Sequence, residues 1–205
     1  MVPLLDELSP LGRSLATLDP VTVSASTALL YDEECDWAWQ SPHLPARLDY
    51  QKLARRWHAA LPGPVDVLPV SAPLTGYALV VVPALYLMSA ETHAALRAYV
   101  RGGGTLVVGF GSGLVDECLR TTPGALDDLI GASVARRVPL PPSKSDGLCR
   151  FWFESLSLAG ASALLSTEAG EPVVTAHGFG AGVVRYAATD LDVGQYGTTL
   201  FGGPP

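Results

Sequence analysis

Ala78-Leu79-Val80-Val81-Val82-Pro83 is followed, one helix-length later, by a second run of the same kind, Thr105-Leu106-Val107-Val108-Gly109. Both are short, uninterrupted apolar runs rich in β-branched residues, the pattern of strands buried on both faces of a parallel sheet. Between them Ser89, Glu91 and Thr92 open a helix that runs through Val100 and is closed by Arg101-Gly102-Gly103-Gly104. A strand, a helix and a second apolar strand make one β-α-β crossover unit.

Working outward, Thr27-Ala28-Leu29-Leu30-Tyr31 and Val65-Asp66-Val67-Leu68 are further strand candidates. Asp49 has the character of an N-cap for a helix over Tyr50 to Leu61, with Leu53, Trp57 and Leu61 on one face and Lys52, Arg55 and Arg56 elsewhere. The order is therefore β-α-β-β-α-β. Asp32 to Ala46 reads as a polar and aromatic loop. A short helix is expected at Gly124 to Ile130, and Ala132 to Asp190 reads mainly as strands, with Val173 to His177 and Val183 to Ala187 paired around Gly178 to Gly182. Leucines at 4, 5, 8, 11, 15 and 18 place a helical arm at about 4–18. The expectation is one α/β domain over 1–205, with a parallel core at about 27–131 and a strand-rich part at about 132–190.

The 205 residues fit one large domain better than two. Charged residues make 16% against a usual ~25%, and the apolar set makes 48%, which excludes charge-driven disorder. A formal charge of −7 argues against nucleic acid and anionic membranes as partners. The apolar run from Ala78 to Met88 is broken by Pro83 and falls far short of the ~20 residues a bilayer requires. With Asp6 and Glu7 where a secretory leader carries basic residues, a cytoplasmic location is expected. Cys35, Cys118 and Cys149 form no CxxC pair, and reduced thiols are expected.

Strand-end loops of a parallel sheet share one carboxyl edge, where open α/β folds bind ligands. Asp32 to Ala46, Pro83 to Met88 and Phe110 to Glu117 should therefore meet there. Their chemistry-bearing residues are Asp32, Trp37, Trp39, Tyr86, Ser112, Asp116 and Glu117, a candidate interface or ligand cluster. Glu33, Glu34 and Asp36 crowd the first loop but lack the alternation of a calcium loop. Gly109-Phe110-Gly111-Ser112-Gly113 follows a strand, yet Leu114 stands where a dinucleotide fingerprint closes on glycine, and a nucleophile elbow on Ser112 would need glycines at Phe110 and Leu114. The glycine run reads as a turn built for backbone reasons, so Ser112→Ala is expected to leave stability nearly unchanged. Cys35 and Cys118 read as structural. His43, His58, His93 and His177 show no metal-ligand spacing, and neither metal nor cofactor is expected.

The segments Leu29 to Glu34, Trp37-Ala38-Trp39, Leu48-Asp49-Tyr50, Val65 to Pro69, Gly76 to Leu87, Gly103 to Val108 and Ser112 to Glu117 occur in an order that resembles the middle, trimerisation domain of bacterial β-galactosidases of glycoside hydrolase family 42. The likeness runs from about Leu5 to Leu191, and Pro83-Ala84-Leu85-Tyr86 and Ser112 to Glu117 are its most specific parts. It implies a flavodoxin-like fold similar to class I glutamine amidotransferase domains, without their catalytic cysteine. It also implies an assembly role: self-association as a trimer in the parent enzyme, beside a catalytic TIM barrel that carries the two glutamates of retaining hydrolysis. A barrel of ~250 residues does not fit in this chain, so no catalytic residue is carried over and the chain alone is expected to be inactive. Two departures stand out. Cys118 to Thr122 shortens a longer polar loop, and Arg136-Arg137 replace an acidic stretch. Two other readings of the residues are a stand-alone carbohydrate or small-molecule binding module using Trp37, Trp39 and Tyr86, and a hydrolase using Ser112. In the assembly reading, Trp37 or Trp39 is expected in the contact between copies.

Overall fold

The computed structural model describes residues 24–42, 44, 47–140 and 148–202. The arm expected at 4–18 lies outside the described residues. In chain order the elements are β1 (Thr27–Tyr31), α1 (Glu33–Trp39), α2 (Tyr50–Ala60), β2 (Val65–Pro69), β3 (Leu79–Val82), α3 (Ala90–Arg101), β4 (Thr105–Gly109), α4 (Asp127–Ile130), β5 (Ala132–Pro139), β6 (Trp152–Leu158), β7 (Ser162–Ser166), β8 (Pro172–Phe179), β9 (Gly182–Ala187) and α5 (Val193–Phe201).

Seven strands form one sheet in the order β2-β1-β3-β4-β9-β8-β7. From β2 to β9 neighbours run parallel, and β8 and β7 continue antiparallel. The two runs that decide the fold lie side by side at its centre, with Val80 opposite Leu106 and Val81 opposite Val107. Their six central side chains, Val80 to Val82 and Leu106 to Val108, are completely buried. That is the physical reason they are apolar without alternation: a face left in water would have tolerated polar residues. The expected hairpin is present as β8 and β9, and β5 and β6 form a separate antiparallel pair.

The helices follow their caps. Asp49 Oδ1 accepts from Lys52 N at 2.9 Å to start α2, which turns Tyr50, Leu53, Ala54 and Trp57 inward. Ser89 Oγ accepts from Thr92 N at 3.1 Å to start α3. Two elements differ from expectation. Glu33–Trp39, read as loop, is helical, because Asp32 caps it and Glu33, Glu34 and Asp36 sit in its first turn, where negative charge complements the helix dipole. Val193–Phe201 forms a helix that the sequence reading did not anticipate, and its Phe201 ring meets Trp57 with centroids 5.7 Å apart.

The seam between α3, β4 and β9 depends on Gly182. A Cβ there would stand 2.3 Å from the carbonyl oxygens of Gly104 and Val100, which are backbone and cannot swing aside. Gly182→Ala is therefore expected to cost about 1–3 kcal/mol in denaturant unfolding. Gly178→Ala, with nothing within 4 Å of its Cβ position, is expected to cost far less. Equal effects would refute the close-approach account.

Candidate functional site at the carboxyl edge

The parallel strands bring the three expected loops together. Trp39, at the end of α1, is fully buried, and its indole Nε1 donates to the Ala84 carbonyl after β3 at 2.8 Å. Around it stand Tyr86, Phe110, Phe151 and Trp152, at centroid distances of 5.0, 6.2, 6.3 and 5.9 Å. Ala84 has a φ of 47°, a left-handed conformation unusual outside glycine, which turns its carbonyl to the indole. Gly111 has a φ of 66°, and a Cβ there would lie 2.7 Å from the Trp39 ring. The glycine at this turn thus makes room for an indole, not a phosphate.

Ser112 is buried, donates to Gly109 O at 2.7 Å and accepts from Leu85 N at 3.0 Å. Its proton is committed to the turn. His177 stands opposite Val184, which stands opposite Leu106, whereas Ser112 lies beyond Gly109 at the other end of β4. The Ser112–His177 pair that the sequence offered for a hydrolase is not assembled. The loops close further through Gly113 N to Leu85 O at 2.8 Å, Leu114 N to Tyr86 O at 3.1 Å and Met88 N to Val115 O at 3.0 Å.

Asp32 Oδ1 accepts from Glu34 N at 3.1 Å. The Cys35 sulfur accepts from Leu87 N at 3.2 Å and has Asp32 Oδ2 at 3.4 Å and Leu87 O at 3.6 Å as acceptors for its one hydrogen. Burial, reinforced by the Asp32 charge, pushes this thiol far up, so it is a protonated structural group. Asp116 Oδ1 accepts from Cys118 N at 2.9 Å and Arg120 N at 2.8 Å, building the turn that follows Val115. Tyr86 is half-buried and Glu117 exposed. Trp37 and Trp39 part company. Trp37 is 70% exposed, so of the two indoles proposed for a contact or a ligand stack, the enclosed Trp39 is excluded.

One group escaped the sequence reading. Glu154 of β6 is wholly buried; its Oε1 accepts from Arg137 Nε at 2.9 Å and from Gly111 N and Trp152 Nε1 at 3.3 Å each. Its Oε2 accepts from the Tyr186 hydroxyl, which burial and this neighbouring carboxylate hold well above the usual tyrosine range. Arg137 stands opposite Glu154 in the β5–β6 register. The signal was present in the Arg136-Arg137 departure: a buried carboxylate requires a cation across the strand pair. Trp39, Ser112, Cys35, Asp116 and Glu154 are engaged internally, and among the described residues no three His, Cys, Asp or Glu side chains converge as a metal site.

Two consequences can be measured. Ser112→Ala, expected from sequence to be neutral, instead strips the Leu85 amide of its buried acceptor and should cost about 1–3 kcal/mol in denaturant unfolding. His93 of α3 is buried against the Gly113 turn with no hydrogen-bond partner on either ring nitrogen. Burial first, and then Arg97, hold its pKa below the ordinary value, against a smaller opposing pull from Asp128. The unfolded chain then binds the proton more readily, so stability is complete above about pH 6.5 and falls as pH drops below it. The denaturation midpoint should decline from pH 7 to pH 5, and His93→Leu should flatten that decline; an unchanged slope would refute the assignment.

Comparison with known proteins accords with this geometry. Residues 25–200 match the family described as the beta-galactosidase trimerisation domain. A beta-galactosidase of Geobacillus sp. is 33% identical over 222 residues, covering 95% of this chain and 32% of its own length. The solved beta-galactosidase of Halorubrum lacusprofundi superposes with a TM-score of 0.79 at 30% identity, over 93% of this chain and 32% of that one. A solved catalytic mutant of a glycoside hydrolase family 42 beta-galactosidase from G. stearothermophilus, at 24% identity, a TM-score of 0.78 and coverage of 95% and 33%, supports the fold alone. The chain spans about a third of the length of the relatives it matches. By sequence match and by fold, it belongs to the beta-galactosidase trimerisation domain family.

Proposed function

We propose that this chain is the assembly domain of a larger β-galactosidase, holding copies of that enzyme together as a trimer while a separate barrel supplies the hydrolytic carboxylates. The observation that carries this reading is the state of the carboxyl edge. Where an open α/β sheet ordinarily receives a ligand, Trp39, Ser112 and Glu154 are turned inward and satisfied by the protein itself. Large apolar side chains remain on the outside instead, Trp37 and Leu119 among them.

The order β2-β1-β3-β4-β9 of the parallel strands supports the flavodoxin-like and amidotransferase-like reading, since it repeats the 2-1-3-4-5 order with β9 as the fifth strand and β5 to β8 inserted before it. The single-domain reading fits the same sheet. A saccharide stacked on Trp37, Trp39 and Tyr86 is not favoured, because Trp39 is enclosed. The −7 charge supports a partner other than nucleic acid. No helix among the described residues is long and apolar enough to cross a membrane.

The chain should give no turnover of an aryl β-galactoside, and its sedimentation-average mass should rise with concentration in the micromolar range toward that of three copies. Turnover that survives purification and vanishes on mutating a residue of this chain would overturn the inactive reading. A strictly monomeric chain up to millimolar protein would overturn the assembly reading.

A further inference from the structure

The carboxyl edge presents two unlike apolar features. The first is a groove of about 520 Å³ between α1 and the end of β2, lined by Tyr31, Glu33, Glu34, Trp37, Val67 and Pro69. Two of its walls, Trp37 and Val67, are 70% and 55% exposed. The edge strand β2 bonds to β1 on one side, and Val67 is left in solvent, lining both this groove and a second depression formed with α2.

The second is a knob. Leu119 is 65% exposed and has a φ of 59°, the left-handed region that a branched side chain occupies only when its surroundings impose it. Here they do. Leu119 N donates to Asp116 O, and Asp116 N to Arg120 O, both at 2.9 Å, while Asp116 Oδ1 holds the Cys118 and Arg120 amides. A four-bond turn thus fixes a large apolar side chain in water, a preorganised contact with nothing among the described residues to meet it. Of the charged side chains on the turn, Asp116 is engaged with its own backbone, and Glu117 and Arg120 are exposed. Arg120 adjoins Leu119 and is the one that the acidic rim of the groove, Asp32, Glu33 and Glu34, would select.

We propose that copies of this chain join head to tail, the Leu119-Arg120 turn of one copy seating in the Trp37 groove of the next. The inference rests on the assembly reading above and specifies its contact. A knob and a groove that differ can pair reciprocally across a twofold axis or, taken one way round, repeat about an axis that closes a ring; the assembly reading requires a ring of three, which selects the second arrangement. Both patches lie at the carboxyl edge, the groove at the end of β2 and the turn beyond β4 with β1 and β3 between them, so they are roughly 14 Å apart across the strands and the carboxyl edges of all copies can face the ring axis. Trp and Arg are also the residue types that most often dominate the energy of such contacts.

The test uses the head-to-tail geometry. Trp37→Glu and Leu119→Glu are made separately; both sites are exposed, and circular dichroism verifies that each variant is folded. Sedimentation velocity is run on the wild type, on each variant and on their equimolar mixture. Each variant alone should weaken association by roughly 30-fold or more. The mixture should regain dimers and nothing larger, because the intact turn of one variant still fits the intact groove of the other while the ring stays open. Arg120→Glu should weaken the wild-type assembly and be rescued by Glu33→Arg with Glu34→Arg. If the wild type assembles and both single variants assemble equally well, the contact is wrong and the assembly reading stands. If the variants dissociate but the mixture forms no dimer, the head-to-tail arrangement is wrong. A wild type that never associates removes the assembly reading itself, and this contact with it.

Discussion

The hydrogen bond from the Trp39 indole to the Ala84 carbonyl is the contact around which the carboxyl edge is organised. An indole buried without a partner for its N–H would be costly, and the chain meets that demand by bending the backbone after β3 into a left-handed residue at Ala84. The bend places Leu85 N on Ser112 Oγ and Leu85 O on Gly113 N, which ties the loop after β3 to the loop after β4. The large ring in turn requires the missing side chain of Gly111. Below it, Glu154 holds Gly111 N from a different sheet, so the β5–β6 pair is bound to the same turn.

A parallel sheet gathers its loops at one edge for geometric reasons, and that edge acquires chemistry only if some polar groups are left unsatisfied and accessible. In this chain the groups that the sequence offered at the edge are consumed internally, and the unpartnered His93 ring is buried. The Ser112 hydroxyl bridges backbone, the Cys35 thiol is held protonated by burial, and the Glu154 carboxylate is enclosed by Arg137, Trp152 and Tyr186. Scaffold geometry that elsewhere supports catalysis is here converted into rigidity. A rigid edge carrying exposed apolar side chains suits contact with another protein surface.

Much of this was legible from residues alone. The unbroken runs at Val80 and Val107 declared buried parallel strands, Asp49 and Ser89 announced their helices, and the meeting of the three strand-end loops followed from topology. What was not legible has physical causes. Asp32 to Trp39 is too short and too charged for periodicity to show, so a capped helix of one face passed for loop. On a helix, residues two apart point about 200° away from each other, which is why Trp37 and Trp39, adjacent in pattern, divide between solvent and core. Val193–Phe201 carries Gly194, Gly197, Thr198 and Thr199, poor helix formers whose conformation is decided by packing of Phe201 on Trp57. Glu154 lies in a strand where an acidic residue ordinarily marks the wet face, and only the register with Arg137 reveals the opposite.

In the proposed assembly the carboxyl edge is closed to ligands and open to another copy. Hydrogen–deuterium exchange at low and at high protein concentration distinguishes the two states of this edge. Added protein should slow exchange in α1 and in the Cys118 to Arg120 turn, while the amides of β3 and β4 are protected to the same degree at both concentrations. Concentration-dependent protection confined to the opposite edge of the sheet or to β7, with α1 and the turn unchanged, would contradict it.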